Sequence, residues 1–392
     1  MEEVVLVSGC RTAIGKLSGS FENMPASDLA AAVMKEAVSR AGIEPGQVDQ
    51  VILGCVGQVM EDGYIARHAA VKAGMPVEVP AYTVNRICGS GLEAINTAAR
   101  WIQTGDADVI VAGGAENMTM MPYYLRNARS GYRLGHGELE DGITHLLSDP
   151  FSKDHMGITA ENLADKFGIS REEQDEIAAR SQQRAVAAIE AGRFKDEIVP
   201  LEVKVGRETK TFDTDEHPRA SSDKEALAKL RPAFKKDGKV TAGNASGIND
   251  GAAAVVVMSK SKAGELGITP KLRIVARAEA GVEPALMGMG PIPAVRKVMD
   301  KAGMAVDQMD VIELNEAFAS VAAACSNVLG LDAEKTNPNG GAIALGHPVG
   351  ASGAILTVKL MYELERSQGK FGLVSLCIGG GQGIATIFER VS

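Results

Sequence analysis

An internal repeat constrains this chain more than any other feature of its sequence. The segments AGIEPGQVDQVILG at 41–54 and AGMAVDQMDVIELN at 302–315 align without a gap, at an offset of 261 residues. The same offset brings CGSGLEAI, which begins at Cys88, opposite GASGAIL at 350–356 within one residue of register. The repeat predicts two similar halves, in which the turn bearing Cys88 is equivalent to the turn bearing His347.

Strand and helix patterns alternate in the first third of the chain. Short apolar runs at 4–8, 50–56, 81–85 and 108–114 are typical of buried strands. Longer amphipathic runs at 27–42 and 91–105 end at glycine, as helices do, and Ser27 is the expected N-cap of the first. This alternation predicts an α/β domain with a mainly parallel sheet.

The middle of the chain departs from that pattern. It is rich in Gly, Tyr, Met and Arg at first, then gives a charged helix at 170–192 and a charged stretch marked by proline. We expect an inserted loop domain, where binding functions concentrate. The predicted domains are an N-terminal α/β half at 1–117 plus 250–270, a loop domain at 118–249 and a C-terminal α/β half at 271–392.

Charge and cysteine content exclude several classes of protein. The formal net charge of −9 argues against nucleic-acid binding, no apolar run is long enough to span a membrane, and the acidic N-terminus does not resemble a signal peptide. Five cysteines without a CxxC spacing predict reduced thiols, and the histidines lack the spacing of a metal site. We therefore expect a cytoplasmic protein with no metal, membrane or nucleic-acid partner.

Cys88 has two readings when its segment is considered alone. A buried cysteine that only fills an apolar turn is the commoner case. If the two halves pack about a pseudo-twofold axis, however, the Cys88 and His347 turns approach each other, and a thiol beside an imidazole is an activated nucleophile. On that reading we expect a helix N-terminus and the imidazole to lower the pKa of Cys88, and Gly89 and Gly91 to leave room for a substrate.

Five motifs together resemble those of the thiolases, in the family's order and over nearly the whole chain. They are NRICGSGLEA at 85–94, GNASGINDGAAA at 243–254, NEAFA at 315–319, GGAIALGHPVGASGA at 340–354 and SLCIGGGQGIA at 375–385. The resemblance implies a thiolase fold, with two similar α/β halves packed as a layered αβαβα core and an inserted loop domain that covers coenzyme A.

The resemblance also implies catalytic roles. Cys88 is expected to accept the acyl group, His347 to activate it, and Cys377 to remove an α-proton from a second acyl-CoA. Asn315 is expected to hold a water that stabilises the enolate with His347. The backbone N–H groups of Cys88 and Gly379 are expected to form an oxyanion hole. Without the resemblance, the alternatives for CIGGGQG are a glycine-rich turn after a buried strand or a nucleotide loop, and the absence of GxGxxG spacing argues against the nucleotide loop.

Substrate-binding residues follow from the same resemblance. His155 and Met156 resemble the acyl pocket of the biosynthetic, short-chain branch, although His155 could instead cap the following helix. Met287 matches a pocket-wall methionine, but a methionine is more often part of the core. Ser246 is expected near the pantetheine and Arg219 near the nucleotide end of coenzyme A, where a solvated charged loop is the alternative. Phe318 of the NEAF motif completes the expected substrate-binding set.

The expected activity is that of an acetyl-CoA C-acetyltransferase, which converts two acetyl-CoA to acetoacetyl-CoA and CoA through an acetyl-Cys88 intermediate. No cofactor is expected besides the coenzyme A thioesters that serve as substrates. The alternatives are a degradative 3-ketoacyl-CoA thiolase, a ketoacyl synthase, a non-catalytic binder of CoA or lipid and, remotely, a Rossmann-type enzyme. By resemblance we expect a homotetramer, with the Tyr- and Met-rich stretch near 118–135 as a contact between dimers.

Overall fold

The strands and helices follow the alternation expected from the sequence. The structure, a computed structural model, describes residues 2–391. Its strands are β1 (Val4–Arg11), β2 (Gly15–Lys16), β3 (Gln50–Gly54), β4 (Ala81–Val84), β5 (Val109–Asn117), β6 (Tyr123–Tyr124), β7 (Glu140–Asp141), β8 (Leu201–Val205), β9 (Glu208–Phe212), β10 (Asn249–Ser259), β11 (Leu272–Gly281), β12 (Val311–Leu314), β13 (Phe371–Ile378) and β14 (Gln382–Arg390).

The helices fall between these strands, most of them in the order that an α/β fold requires. They are α1 (Ala26–Ala41), α2 (Ile65–Lys72), α3 (Ser90–Thr104), α4 (Gly142–Leu146), α5 (Met156–Phe167), α6 (Arg171–Glu190), α7 (Lys224–Ala228), α8 (Lys260–Glu265), α9 (Pro291–Ala302), α10 (Ala319–Leu329), α11 (Ala342–Leu345) and α12 (Ser352–Ser367). Short 3-10 helices cover Pro45–Gln47, Met60–Tyr64, Pro284–Met289 and Val306–Gln308.

Ten strands form one mixed sheet. Its order is β12-β13-β14-β11-β1-β10-β5-β3-β4, and β2 pairs with β10. Only β3 with β4, β3 with β5 and β12 with β13 are parallel among these pairs. The prediction of a mainly parallel sheet is therefore wrong. Antiparallel strands such as β1 and β10 are buried on both faces, so their sequences are continuously apolar, as those of parallel strands usually are.

The sheet bends around two central helices and gives five layers. Within residues 2–391, the two halves of the sheet join only through Val5 and Leu6 of β1, which pair with Arg273 and Leu272 of β11. Helices α3 and α12 fill the space between the halves, α1 and α2 cover the outer face of the first, and α9 with α10 covers the outer face of the second. The predicted layered αβαβα core is confirmed.

The internal repeat appears as a repeat of structure. Helices α1 and α9 both end at a glycine in the left-handed region, Gly42 with φ 69° and Gly303 with φ 63°, and each is followed by a 3-10 turn and a strand. The halves differ where residues 81–84 form β4 and residues 342–345 form α11. The expected cap at Ser27 is wrong, because α1 begins one residue earlier and its N-cap is Pro25.

Two glycines allow the central helices to touch. A Cβ atom on Gly91 of α3 would lie 2.7 Å from the backbone nitrogen of Ala354, and one on Gly353 of α12 would lie 2.3 Å from that of Leu92. Gly89 similarly faces the side chain of Ile378, 2.7 Å from the position of its missing Cβ. These glycines serve close packing of the two halves, so the expectation that Gly89 and Gly91 make room for a substrate is wrong.

The inserted segment contains more regular structure than a loop domain suggests. The predicted charged helix is α6, and Ser170 caps its N-terminus by accepting from Glu173 N–H. The β8–β9 hairpin was not predicted, whereas α5 is the helix that was expected to follow His155. Helices α5 and α6 pack against α10 of the C-terminal half, which brings this segment over one end of the core. No helix within residues 2–391 has the length and apolarity needed to cross a membrane.

Candidate active site

A cavity of about 390 Å³ lies where the inserted segment meets the two halves. It is lined mainly by apolar side chains, and the Cys88 and His347 turns both reach it. The predicted site residues that line it are Cys88, His347, Gly379, His155, Met156, Ser246, Met287 and Phe318. Cys377, Asn315 and Arg219 are not among its lining residues. The cavity therefore joins residues that are up to 293 positions apart in the chain, from Ile87 to Gly380.

Cys88 sits on a strained turn between β4 and α3. The preceding residue, Ile87, has φ 44°, a conformation that β-branched residues rarely adopt. The side chain of Ser90 holds this turn, because its hydroxyl accepts from Arg86 N–H at 2.9 Å and donates to the Ile87 carbonyl at 2.7 Å. Cys88 is partly exposed, whereas the other four cysteines are buried. The fold thus presents this one thiol to the cavity.

The resting thiol of Cys88 is protonated. Burial raises its pKa to about 11, although the N–H groups of Gly379 and of Cys88 itself oppose that rise by hydrogen bonding to the sulfur. The expectation of a lowered pKa is therefore wrong, because removal of the sulfur from water outweighs both N–H groups. The N–H of Gly379 reaches the Cys88 sulfur, so it lies beside any group bound to that sulfur.

His347 is buried and its proton position follows from its neighbours. Its Nδ1 lies 2.5 Å from Ser352 Oγ, and Ser352 Oγ lies 2.9 Å from the carbonyl oxygen of Pro348. A hydroxyl has one proton, and Pro348 O can only accept, so Ser352 donates to Pro348 and accepts from Nδ1–H of His347. Burial lowers the pKa of His347 to about 4. The ring is thus neutral near pH 7, and Nε2 carries a lone pair that faces the side-chain amide of Asn315.

Asn315 lies beside that lone pair. It follows β12, its side chain is buried, and its Nδ2 is 3.4 Å from His347 Nε2. The Oδ1 atom of Asn315 accepts no hydrogen bond from any residue of 2–391. An unpaired buried acceptor beside the His347 imidazole is available to a bound molecule.

Cys377 lies near the end of β13, behind Gly379 and Gly380. Burial raises the pKa of its thiol well above the ordinary value, and the charge of Cys88 raises it further. The second cause requires the two sulfurs to be close together. Cys377 is fully buried, and its neighbours Gly379 and Gly380 line the cavity while Cys377 itself does not.

One part of the cavity is lined by aromatic and methionine side chains. The ring of His155 stacks on Phe234 with centroids 4.8 Å apart, and Phe234 meets Phe318 edge-on. His155 Nδ1 also accepts from Gly157 N–H at the start of α5, so the capping and cavity-lining roles coexist. Burial lowers the pKa of His155, which leaves the ring neutral. Met156 faces Gly379, with its sulfur 3.4 Å from the position of the missing Cβ.

The two residues that were expected to contact coenzyme A, Ser246 and Arg219, lie in different places. Ser246 lines the cavity, and its backbone N–H donates to Ala317 O at 3.0 Å, which ties it to the NEAF segment. Arg219 is exposed outside the cavity, with its backbone N–H donated to Gln182 Oε1 at 2.8 Å. The charge of Arg219 lies near His217, where it helps to lower the pKa of that imidazole.

Four residues of this site were not expected from the sequence. Phe234 follows the residues Arg-Pro-Ala at the end of the charged stretch. The only feature of the sequence that could have marked it as a site residue is an aromatic side chain among polar ones. Ser352, Asn249 and Glu116 act through hydrogen bonds to the His347 turn. Their partners lie at least five residues away, so no local pattern marks them.

Comparison with known proteins agrees with this geometry. Residues 4–261 match the family description "Thiolase, N-terminal domain", and residues 268–390 match "Thiolase, C-terminal domain". The chain belongs to the thiolase family. This thiolase is 55% identical to an acetyl-CoA acetyltransferase of Pseudomonas aeruginosa over 392 residues, which is all of both chains.

Solved structures give the same result. The thiolase superposes on the crystal structure of the Bacillus anthracis acetyl-CoA acetyltransferase with a TM-score of 0.98 and 48% identity, covering 100% of this chain and 99% of the other. The TM-score to human mitochondrial 3-ketoacyl-CoA thiolase is 0.97, with 45% identity and the same coverage. The predicted family and fold are confirmed, and the protein is an acyltransferase enzyme.

Proposed function

We propose that this thiolase is an acetyl-CoA C-acetyltransferase, which joins two acetyl-CoA into acetoacetyl-CoA and CoA and also catalyses the reverse reaction. The observation that carries the proposal is the single cavity where Cys88, His347 and Gly379 meet. The names of full-length relatives support the acetyl substrate. A thiol, a neutral base and a directed N–H are the groups that acyl transfer from a thioester needs.

In the first half-reaction Cys88 attacks the thioester carbonyl of acetyl-CoA. His347 Nε2 takes the thiol proton as the new S–C bond forms, and the N–H groups of Cys88 and Gly379 stabilise the negative oxygen. The bond between carbon and the CoA sulfur then breaks. Cys377, protonated because its pKa is raised, gives its proton to the leaving CoA thiolate. The products are acetyl-Cys88, protonated His347, a Cys377 thiolate and free CoA.

In the second half-reaction the Cys377 thiolate removes a proton from the methyl carbon of a second acetyl-CoA. Protonated His347 and a water held by Asn315 stabilise the enolate oxygen, a role that the unpaired Oδ1 of Asn315 supports. The enolate carbon attacks acetyl-Cys88, and the S–C bond breaks. Cys88 recovers its proton from His347, so all three side chains return to their starting state.

His155, Met156 and Met287 support a short acyl chain, because they line the cavity that Cys88 also reaches. The fold does not separate this activity from that of a longer-chain thiolase, since both kinds of protein superpose closely on the chain. Thiolysis rates should be compared for acetoacetyl-CoA and 3-ketodecanoyl-CoA. Preference for the longer substrate would contradict the proposed specificity.

Two variants test the catalytic roles. Cys88→Ala should show no acetyl adduct by intact-mass measurement after treatment with acetyl-CoA, and no turnover. Cys377→Ala should still form the adduct on Cys88 but should not condense it with a second acetyl-CoA. Turnover by Cys88→Ala, or normal condensation by Cys377→Ala, would contradict the assignment. A wild-type protein without an adduct would indicate a non-catalytic binder.

The proposal includes a homotetramer in the cytoplasm. Exposed apolar side chains on residues 118–135 support a contact between subunits, since Leu134 is 96% exposed and Tyr123 is 64% exposed. Leu134→Asp should lower the molar mass measured by light scattering, and an unchanged mass would exclude this contact. The requirement for a reduced Cys88, together with five unpaired cysteines, supports a reducing compartment.

A further inference from the structure

The backbone of the His347 turn is held by side chains of the other half of the molecule. The N–H of His347 donates to Asn249 Oδ1 at 3.0 Å, and the N–H of Gly350 donates to Glu116 Oε2 at 2.7 Å. Pro348, between them, has no N–H to donate. Asn249 begins β10 and Glu116 lies in β5, and these two strands pair side by side in the N-terminal half. Two neighbouring strand ends therefore hold one turn.

The surroundings of Asn249 orient its side-chain oxygen to accept a hydrogen bond from His347 N–H. It is fully buried, and its Nδ2 donates to Gly15 O at 3.0 Å, so Oδ1 must face the His347 N–H. Gly346 has φ 110°, and a Cβ on it would lie 2.5 Å from Asn249 Cγ. The chain therefore rests directly against the amide group immediately before it reaches His347.

These contacts differ in kind from those that orient the imidazole ring. Ser352 and Asn315 belong to the same half as His347, so they orient the ring within that half. Cys88 belongs to the N-terminal half. Proton transfer needs the two groups within about 3 Å of each other, and a misplacement of about 1 Å can cost about 100-fold in rate. The hydrogen bond between His347 N–H and Asn249 Oδ1 instead fixes the backbone of His347 relative to the half that carries Cys88.

We propose that Asn249 is a positioning residue for His347, holding the backbone of the base at the distance from Cys88 that proton transfer needs. The proposal rests on the proposed role of His347 as the base for Cys88. Glu116 holds the same turn at a second position, the N–H of Gly350. Its carboxylate also accepts from Val56 N–H at 3.1 Å and Gly57 N–H at 2.7 Å.

Asn117 provides a matched control. It is a buried asparagine at the end of β5, and it also bridges backbone groups, donating to Phe21 O at 2.9 Å and Met24 O at 2.8 Å and accepting from Met120 N–H at 2.9 Å. None of its hydrogen bonds reaches Cys88 or His347. Loss of either amide should lower the urea midpoint by a similar amount, whereas only the loss of Asn249 should displace His347.

The test compares Asn249→Ala with Asn117→Ala in the full chain. Acetylation of Cys88 by acetyl-CoA is followed by rapid quench and intact mass, and alkylation of Cys88 by iodoacetamide is followed from pH 7 to pH 9.5. Acetylation should slow about 10- to 100-fold in Asn249→Ala and less than threefold in Asn117→Ala. The alkylation deficit should shrink as the pH rises, because hydroxide then replaces the displaced base.

The outcomes separate this proposal from the proposed function. If wild type forms no acetyl adduct, the proposed function fails and the role of Asn249 fails with it. If wild type acetylates but Asn249→Ala stays within threefold of Asn117→Ala, only the positioning role is overturned. A deficit of equal size at every pH also overturns it, because the loss would not act through the base. Should Asn249→Ala not fold, Asn249→Ser is measured against Asn117→Ser by the same criteria.

Discussion

Replacing Ser352 by alanine removes the hydroxyl group that determines which nitrogen of His347 carries the proton. In the native structure Ser352 Oγ donates to Pro348 O and accepts from His347 Nδ1–H at 2.5 Å. Without it, Nδ1–H has no acceptor. The ring avoids this unpaired N–H by carrying its proton on Nε2 instead. The Asn315 amide can then turn its unpaired Oδ1 toward the new N–H. That tautomer cannot take the proton of Cys88.

The size of the effect follows from the cost of the unpaired donor. A buried N–H without a partner costs about 1 to 3 kcal/mol. If the other tautomer avoids this cost, the tautomer equilibrium shifts by about 5- to 150-fold toward the unreactive form. Acetylation of Cys88 should slow by a similar factor in Ser352→Ala, while binding of CoA should change little because Ser352 does not line the cavity.

Single-turnover acetylation, followed by quenching and intact-mass measurement, reports this step directly. Ser8→Ala is the matched control, because Ser8 is a buried serine whose hydroxyl donates to Ala37 O at 2.6 Å, in β1 and away from the site. Both variants lose one buried hydroxyl and should lose similar stability to urea. A rate for Ser352→Ala within twofold of that for Ser8→Ala would refute the tautomer argument.

Three further predictions concern the pKa of Cys88, a buried ion pair and the contact between the central helices. Because burial raises the pKa of Cys88 to about 11, its alkylation by iodoacetamide in the free enzyme should accelerate continuously from pH 7 to pH 9.5, and a plateau below pH 8 would indicate a preformed thiolate. Lys359→Met leaves Glu313 without the buried ammonium group 2.7 Å away, which should cost about 3 to 5 kcal/mol of unfolding free energy at pH 8.5. The cost should be smaller at pH 5.5, because the Glu313 carboxyl is neutral there: its pKa is already raised to about 7, and loss of the cation raises that pKa further. Equal losses in the urea midpoint at both pH values would contradict this expectation. Gly91→Ala places a Cβ 2.7 Å from the backbone of Ala354 and should cost about 1 to 3 kcal/mol, whereas Gly264→Ala, with open space around it, should leave the urea midpoint nearly unchanged.

The fold was largely predictable because it depends on periodicity and repetition. The repeat at 41–54 and 302–315 correctly indicated two equivalent helix-to-strand units, and the apolar runs at 4–8 and 108–114 became β1 and β5. Strand direction was not predictable from the same signals. Burial on both faces produces the same continuous apolar run in antiparallel β10 as in parallel β3.

The site was predictable as a set of residues but not as an electrostatic environment. The motif resemblance named Cys88, His347 and Gly379, which the structure places at one cavity. It did not name Phe234, which stacks on His155 from a distant part of the chain. The expected direction of the Cys88 pKa was wrong, because local sequence shows the helix N-terminus but not the loss of water around the sulfur.

The sequence by itself determined the two halves, the elements within each and the chemical groups carried by their turns, because these depend on local propensity and on the spacing of apolar residues. Only the tertiary structure decided how the groups act. The proton on His347 Nδ1, the hold of Asn249 on the His347 backbone and the raised pKa of Cys88 all arise where the two halves meet. Hydrogen-bond partners and exclusion of water are properties of distances in space, which packing sets and sequence spacing does not.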